Sequence, residues 1–180
     1  MFIQTEVTPN PNSLKFLPGK IVSNNGSFEV TKKEETDSEL VRNLLSIDGV
    51  VSIFLGADFL SINKKEDINW EDIKHIVISL INDFYSTGKE FVIANGLTRE
   101  KKEEHSEIEK KIISILETKI RPAVAKDGGD IKFREFKNGI VKVELQGSCS
   151  GCPSSTMTLK QGVQNLLCHY LPEVKEVVAV

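Results

Sequence analysis

The chain has 180 residues, of which 39% are hydrophobic and 27% are charged, and its formal net charge is −3 at pH 7. These fractions are typical of a globular protein and exclude collagen-like and intrinsically disordered classes. Acidic and basic residues are interleaved, which disfavours a broad nucleic-acid interface. The longest apolar stretches, such as 76–81, are far shorter than the roughly 20 residues of a membrane-spanning helix. We therefore expect neither nucleic acid nor a membrane as a partner.

The amino-terminal half predicts a first α+β domain over residues 1–88. A turn at 8–12 holds two prolines, which fix φ and remove backbone donors. Two helices are predicted, one capped by Ser38 and one capped by Asn69 and ended by Gly88. The second helix should bury one wide apolar face that comprises Ile73, Ile76, Val77, Leu80, Ile81 and Phe84. Strands are predicted at 2–7, 13–17, 50–55 and 59–63, with room for a short strand at 27–30.

A charged segment separates this domain from a second one. Residues 89–105 are predicted to form a linker, and residues 106–180 a small domain of order α-β-β-α-β with a small mixed sheet. Its first helix carries an apolar stripe, and Pro122 suits the first position of a further helical turn. Asp127-Gly128-Gly129-Asp130 ends the helical region, and its two glycines allow positive φ there, which we favour over a phosphate- or metal-binding role. A hairpin at 131–145, a helix at 154–170 and a strand at 174–180 complete the domain.

The motif Cys149-Ser150-Gly151-Cys152 is the feature that carries chemistry. Two residues between the cysteines let both sulfurs point at one centre, and the chain has only three cysteines. Cys152 falls at the N-cap and Pro153 at the first position of the predicted helix. The positive end of this helix and its free N–H groups predict that both cysteines favour thiolate over thiol.

The number of available ligands points to a second subunit. A closed zinc site or an iron–sulfur cluster takes four ligands, whereas this motif supplies two. No other C-x-x-C and no H-x₃₋₅-H occurs in the sequence. A symmetric homodimer would supply the missing pair by placing two copies of the loop face to face. A zinc ion shared in the same way stays an alternative, as does a thiol-redox pair, although the residues after Cys152 are too few to complete a thioredoxin core.

The other candidate groups are interpreted as structural. Cys168 and His169 lie roughly 24 Å beyond Cys152 along the predicted helix, too far to share its ligand. His75 and His105 have no ligand partner in the sequence. Thr156 and Met157 follow the motif closely and either shield a bound cluster or pack the helix, and both readings stay open.

Enzymatic signatures are missing from the sequence. It has no phosphate-binding G-K-[ST] loop, no G-x-S-x-G, no H-E-x-x-H and no kinase-type motif. We therefore predict that the protein is not an enzyme. The amino terminus has neither a basic region nor an apolar stretch of a secretory signal, and it is not rich in arginine like a transit peptide. This predicts a cytoplasmic protein, with the mitochondrial matrix as the alternative.

These motifs resemble a known family of iron–sulfur proteins. Asp127-Gly128-Gly129-Asp130, the loop 147–160 around Cys149 and Cys152, and Pro172-Glu173-Val174 resemble the C-terminal domain of NifU and Nfu proteins, over roughly 108–180. The segment 8–16, TPNPNSLKF, resembles the Nfu N-terminal domain. The resemblance implies a scaffold or carrier that binds a [4Fe–4S] cluster between two subunits through Cys149 and Cys152. It also implies an upstream cluster donor and apo client proteins as partners, while spacing alone leaves [2Fe–2S] open.

Overall fold

The computed structural model describes residues 1–24, 26–93, 104–150 and 153–180, without the side chains of 153–155. The chain divides into two compact units, Met1–Arg99 and Glu100–Val180. Each unit combines helices with one sheet, so the predicted α+β class is confirmed. Most of the predicted linker at 89–105 lies outside the described residues, and the bounds 1–88 and 106–180 stay predictions. Within the described ranges, no helix combines the length and apolar character needed to cross a bilayer.

The first unit is a five-stranded antiparallel sheet with two helices. Strand order is β1-β2-β5-β4-β3. Strand side chains alternate, so one face of the sheet joins apolar residues of both helices in a single core. The elements are β1 (Gln4–Val7), β2 (Ser13–Leu17), β3 (Phe28–Val30), a 3₁₀ turn (Lys33–Glu35), α1 (Glu39–Leu45), β4 (Val50–Leu55), β5 (Leu60–Lys64) and α2 (Trp70–Ser86).

The ends of these two helices follow the sequence only in part. The Ser38 hydroxyl accepts a hydrogen bond from the backbone N–H of Val41, which confirms it as the cap of α1. Asn69 occupies the N-cap position of α2, but its side chain makes no capping hydrogen bond. Gly88 has a φ of +81° just after α2, as expected for a helix end. The prediction that Ile76 belongs to the buried face is wrong, because the buried stripe of α2 is narrower than predicted and this residue is 39% exposed.

The second unit confirms the predicted α-β-β-α-β order and the mixed sheet. Strand β6 pairs antiparallel with β7, and β7 pairs parallel with β8. The hairpin turn places Asn138 and Gly139 at φ of +53° and +79°, the combination of a two-residue type I′ turn. The elements are α3 (Glu107–Ile115), a π-helical segment (Leu116–Ile120), α4 (Arg121–Lys126), β6 (Gly129–Lys137), β7 (Ile140–Gly147), α5 (Pro153–Tyr170) and β8 (Glu176–Ala179).

A widened turn connects α3 to α4. The backbone N–H of Arg121 donates to the carbonyl of Leu116, five residues back, which defines the π-helical segment. The next residue, Pro122, has no N–H, and in a regular α-helix its ring would clash with the carbonyl of Thr118. The extra residue in the turn accommodates the proline, so the helical path continues into α4.

The two cores can be tested separately because the chain has a single tryptophan, Trp70, in the first unit. Its indole N–H donates to the carbonyl of Pro11 at 3.1 Å, so its fluorescence reports this unit. Leu44 and Leu167 are fully buried in the first and second cores. We expect Leu44→Ala to lower the stability seen by tryptophan fluorescence in urea by about 2–5 kcal/mol. The matched variant Leu167→Ala should leave the midpoint of this fluorescence transition unchanged. A shift of the midpoint in both variants would contradict the division of the chain into two separate cores.

Candidate functional site

The loop that carries the C-x-x-C motif is fixed to the turn between α4 and β6. Gly147, the last residue of β7, pairs in register with Gly129, the first residue of β6. The backbone N–H of Ser148 donates to the carbonyl of Gly128 at 3.2 Å, and its hydroxyl donates to the carbonyl of Asp127. The first half of the loop therefore has a defined position relative to the sheet.

The position of Cys149 in the core depends on a glycine. Its side chain belongs to the second core and is only 8% exposed. A Cβ atom added at Gly129 would lie 2.7 Å from the Cys149 sulfur and 2.6 Å from the carbonyl oxygen of Gln146. No other residue type fits there without displacing the thiol. Gly128 has a φ of +81°, but the prediction of positive φ is wrong for Gly129, whose role is steric.

The described part of the loop is also held by hydrogen bonds from Ser150 and Thr156. The backbone N–H and the hydroxyl of Ser150 both donate to the carbonyl of Gly147, at 3.1 and 2.8 Å. The hydroxyl of Thr156, in the first turns of α5, donates to the carbonyl of Cys149 at 3.0 Å. Thr156 therefore ties the helix to the loop. Met157 beside it is 73% exposed and does not pack in the core.

The protonation state of Cys149 differs from the sequence prediction. Burial raises the pKa of the Cys149 thiol to about 11, and the carboxylates of Asp127 and Asp130 add to the rise, while the nearby Ser148 hydroxyl opposes it. The predicted thiolate is therefore wrong for Cys149 without bound metal, because burial disfavours the charged sulfur. The same prediction for Cys152 stays a prediction, since that residue lies outside the described ones. A metal that binds here must displace the thiol proton.

An ion pair between the buried Asp130 and the partly exposed Arg121 supports the strand against which Cys149 packs. Asp130 is 5% exposed and accepts two hydrogen bonds from Arg121, Nε to Oδ1 and Nη2 to Oδ2, each 2.8 Å long. The same carboxylate accepts the backbone N–H of Ile131 at 2.8 Å. This bidentate pair joins the start of α4 to the start of β6, next to Gly129. In the sequence, the only signal for this pair is an acidic residue at the start of an apolar strand.

The structure describes one of the two predicted ligands. Cys152 lies outside the described residues, so the distance between the two sulfurs is not assigned. Cys168 is half-buried, and its thiol donates to the carbonyl of Val174 at 3.2 Å. Among the described residues, no group of three or more histidine, cysteine, aspartate or glutamate side chains is arranged to hold a metal ion.

The three histidines make separate contacts. His75 is exposed on α2, and His169 stacks edge-to-face on Tyr170. His105 lies 3.9 Å from the Glu109 carboxylate, and its ring packs edge-to-face on Phe133. These contacts are consistent with the structural role predicted for all three.

The steric role of Gly129 predicts the effect of a single methyl group. Gly129→Ala should force Cys149 out of its seat, lower the free energy of unfolding by about 1–3 kcal/mol and accelerate alkylation of Cys149 in the metal-free protein. The rate is read at Cys149 by peptide mass spectrometry. The control Gly162→Ala adds a methyl group where nothing lies within 4 Å, and should leave Cys149 protected and stability unchanged or higher. Equal alkylation rates in both variants would contradict this assignment.

Comparisons with known proteins agree with this architecture. The family model described as "Scaffold protein Nfu/NifU N terminal" matches residues 3–88, and the model described as "NifU-like domain" matches residues 112–178. NifU-like protein 4, mitochondrial, of Arabidopsis thaliana is 45% identical over 98% of this chain, which spans 65% of that protein, slightly less than two thirds.

Two further relatives complete the comparison. The human NFU1 iron-sulfur cluster scaffold homolog, mitochondrial, is 44% identical over 98% of this chain and 71% of its own length. A solution structure of a NifU-like protein from Saccharomyces cerevisiae has a TM-score of 0.49 and 32% identity, covering 53% of this chain and 87% of that one. The two family models and the identity over nearly the whole chain show that this protein belongs to the Nfu family of NifU-like proteins.

Proposed function

We propose that this protein is an iron–sulfur cluster carrier whose cargo is bound by Cys149 and Cys152. The human relative is named an iron-sulfur cluster scaffold homolog, which supports this class of cargo. The [4Fe–4S] form follows from the family resemblance, with [2Fe–2S] as the alternative. A carrier needs no catalytic group, in agreement with the predicted lack of enzymatic activity.

The seat of Cys149 is the observation on which the proposal rests. The cysteine is held by a loop that is hydrogen-bonded at both ends, and its sulfur packs against Gly129. Such a fixed sulfur suits inorganic binding better than a thiol on a free loop, because less chain entropy is lost when the ligand binds. The motif supplies two ligands and the sequence has no second C-x-x-C, so we infer that a second copy of the chain completes the set of four.

Transfer then follows from ligand exchange. A thiolate of the apo client binds iron as Cys149 or Cys152 leaves it, so the number of sulfur ligands on the cluster is conserved. When Cys149 is the leaving ligand, it takes up a proton and returns to the neutral thiol that its burial favours. The first unit has no cysteine, since all three lie at 149 or beyond, and we propose that it recognises clients or the upstream donor.

The proposal bears on the partners of the protein and on its location. The cargo arrives from an upstream donor and leaves to apo iron–sulfur proteins, so both must dock near the C-x-x-C loop. The names of the Arabidopsis and human relatives include "mitochondrial", which favours the mitochondrial alternative over the cytoplasmic location predicted from the sequence.

Serine variants test the ligand assignment. After anaerobic reconstitution, Cys149→Ser and Cys152→Ser should lose the broad visible absorption of a cluster, together with its iron and sulfide, while the metal-free fold persists. Cys168→Ser is the matched control and should bind as the unmodified protein does, since its thiol faces the Val174 carbonyl. A Cys149→Ser protein with a full complement of iron and sulfide would contradict the assignment.

Transfer is tested with an apo-enzyme that needs a [4Fe–4S] cluster for its activity. The loaded protein should restore this activity faster than equal amounts of free iron and sulfide in the presence of a chelator. A colourless protein with tightly bound stoichiometric zinc, or a coloured protein that never restores activity, would contradict a carrier.

A further inference from the structure

Helices α1 and α2 of the first unit border an open groove with an apolar floor. Its volume is about 210 Å³, and Leu40, Leu80 and Phe84, which are all buried or half-buried, form the floor. The rim carries one exposed carboxylate from each helix, Glu39 from α1 and Asp83 from α2. The floor therefore suits the apolar stem of a long side chain, and the rim selects the charge at its tip.

The rim of this groove is electrostatically negative. Asp83 lies in the last turn of α2, where the free carbonyl groups carry a negative partial charge and where the helix has no basic residue. A carboxylate at this position disfavours the helix, so the helix itself does not require it. Glu39 is the first residue of α1, and its charge offsets the positive end of that helix, which would otherwise repel a cation.

A cation of the chain itself already lies in this groove. The Lys89 ammonium is 3.7 Å from the Glu39 carboxylate and 5.2 Å from the centre of the Phe84 ring. An aromatic face next to a carboxylate is a favourable environment for a cation. The Lys89 side chain is 50% exposed, so it lines the groove without filling it. Glu39 and Asp83 together outnumber this single positive charge, so the groove keeps an excess of negative charge.

A cationic side chain from a partner complements this groove better than other occupants. A purely apolar side chain would cover the floor but would remove water from the two carboxylates without pairing them. In a symmetric dimer formed through this surface, the two negative rims would face each other. Lysine and arginine combine an apolar stem with a positive tip, and arginine also stacks on aromatic rings.

We propose that the groove between α1 and α2 docks a lysine or arginine side chain that an apo client exposes beside an apolar residue. The inference rests on the proposed function, in which the first unit recognises partners of cluster transfer. The cation of the client replaces the Lys89 ammonium between Glu39 and the Phe84 ring, and Asp83 attracts the same charge. The replacement costs little, because exposed ion pairs are weak. Lys89 is thus a competitor for the groove that the client displaces.

A short peptide of leucine and arginine, blocked at both ends, tests the groove in the metal-free full chain. It should shift the NMR signals of the α1 and α2 amides that border the groove, whereas the same peptide with neutral citrulline in place of arginine should not. The double variant Glu39→Gln/Asp83→Asn should weaken binding about fivefold or more, and Lys89→Gln should strengthen it. The matched control Glu66→Gln/Asp58→Asn removes two exposed carboxylates outside the groove and should leave the affinity unchanged.

The two carboxylates of the groove are exposed, so the double variant should keep the melting temperature of the unmodified protein. Equal affinities of the folded double variant and the unmodified protein would overturn the inference. Equal affinities of the arginine and citrulline peptides would overturn it as well.

Cluster transfer tests the docking role with an apo-enzyme that exposes such a side chain. The loaded double variant should need about fivefold more apo-enzyme to reach half of its maximal transfer rate, while the maximal rate stays that of the unmodified protein. An unchanged half-saturating concentration would overturn this inference alone, since transfer itself continues. A loaded, unmodified protein that transfers no cluster would overturn the proposed function instead, and the peptide titration needs no cluster.

Discussion

The contact between Gly129 and the Cys149 sulfur is the constraint on which the site depends. The first residue of β6 has no side chain, and the thiol occupies the space that a Cβ atom would need. This arrangement holds only while the ends of β6 and β7 stay paired, the Asp127–Gly128 turn accepts the hydrogen bonds of Ser148, and Arg121 binds Asp130. The small sheet, the widened helical turn and the Arg121–Asp130 ion pair thus act together to fix one sulfur atom.

A carrier must bind its cargo and also release it, and the site is suited to both. The loop holds Cys149 in place before the cargo arrives, which lowers the entropy lost on binding. The same burial stabilises the neutral thiol, so the protein without cargo is not left with an unpaired buried charge. Each chain provides half of the sulfur ligands in our proposal, so neither copy alone holds the cluster fully.

Sequence patterns predicted the structural features that depend only on residues close together in the chain. Ser38 as a helix cap, the Asn138-Gly139 hairpin turn and the helix that starts at Pro153 are local signals, and the structure has all three. The role of Gly129 could not be predicted, because the atoms it approaches belong to Gln146 and Cys149, far along the chain. The raised pKa of Cys149 has the same origin, since burial depends on packing of the whole second core. Asn69 and Ile76 show the opposite case, in which the local pattern suggested an interaction that the fold does not make. Asn69 lies at the N-cap without a capping side-chain hydrogen bond, and Ile76 follows the apolar spacing but is exposed.

Native mass spectrometry of the anaerobically loaded protein tests the central claim most directly. It reports the number of chains and the mass of the inorganic cargo in one intact species. Our account predicts an assembly of two chains around one cluster, with no cluster on single chains. A single chain that carries a complete cluster would contradict the account, because the C-x-x-C motif would then not be half of a shared set of ligands.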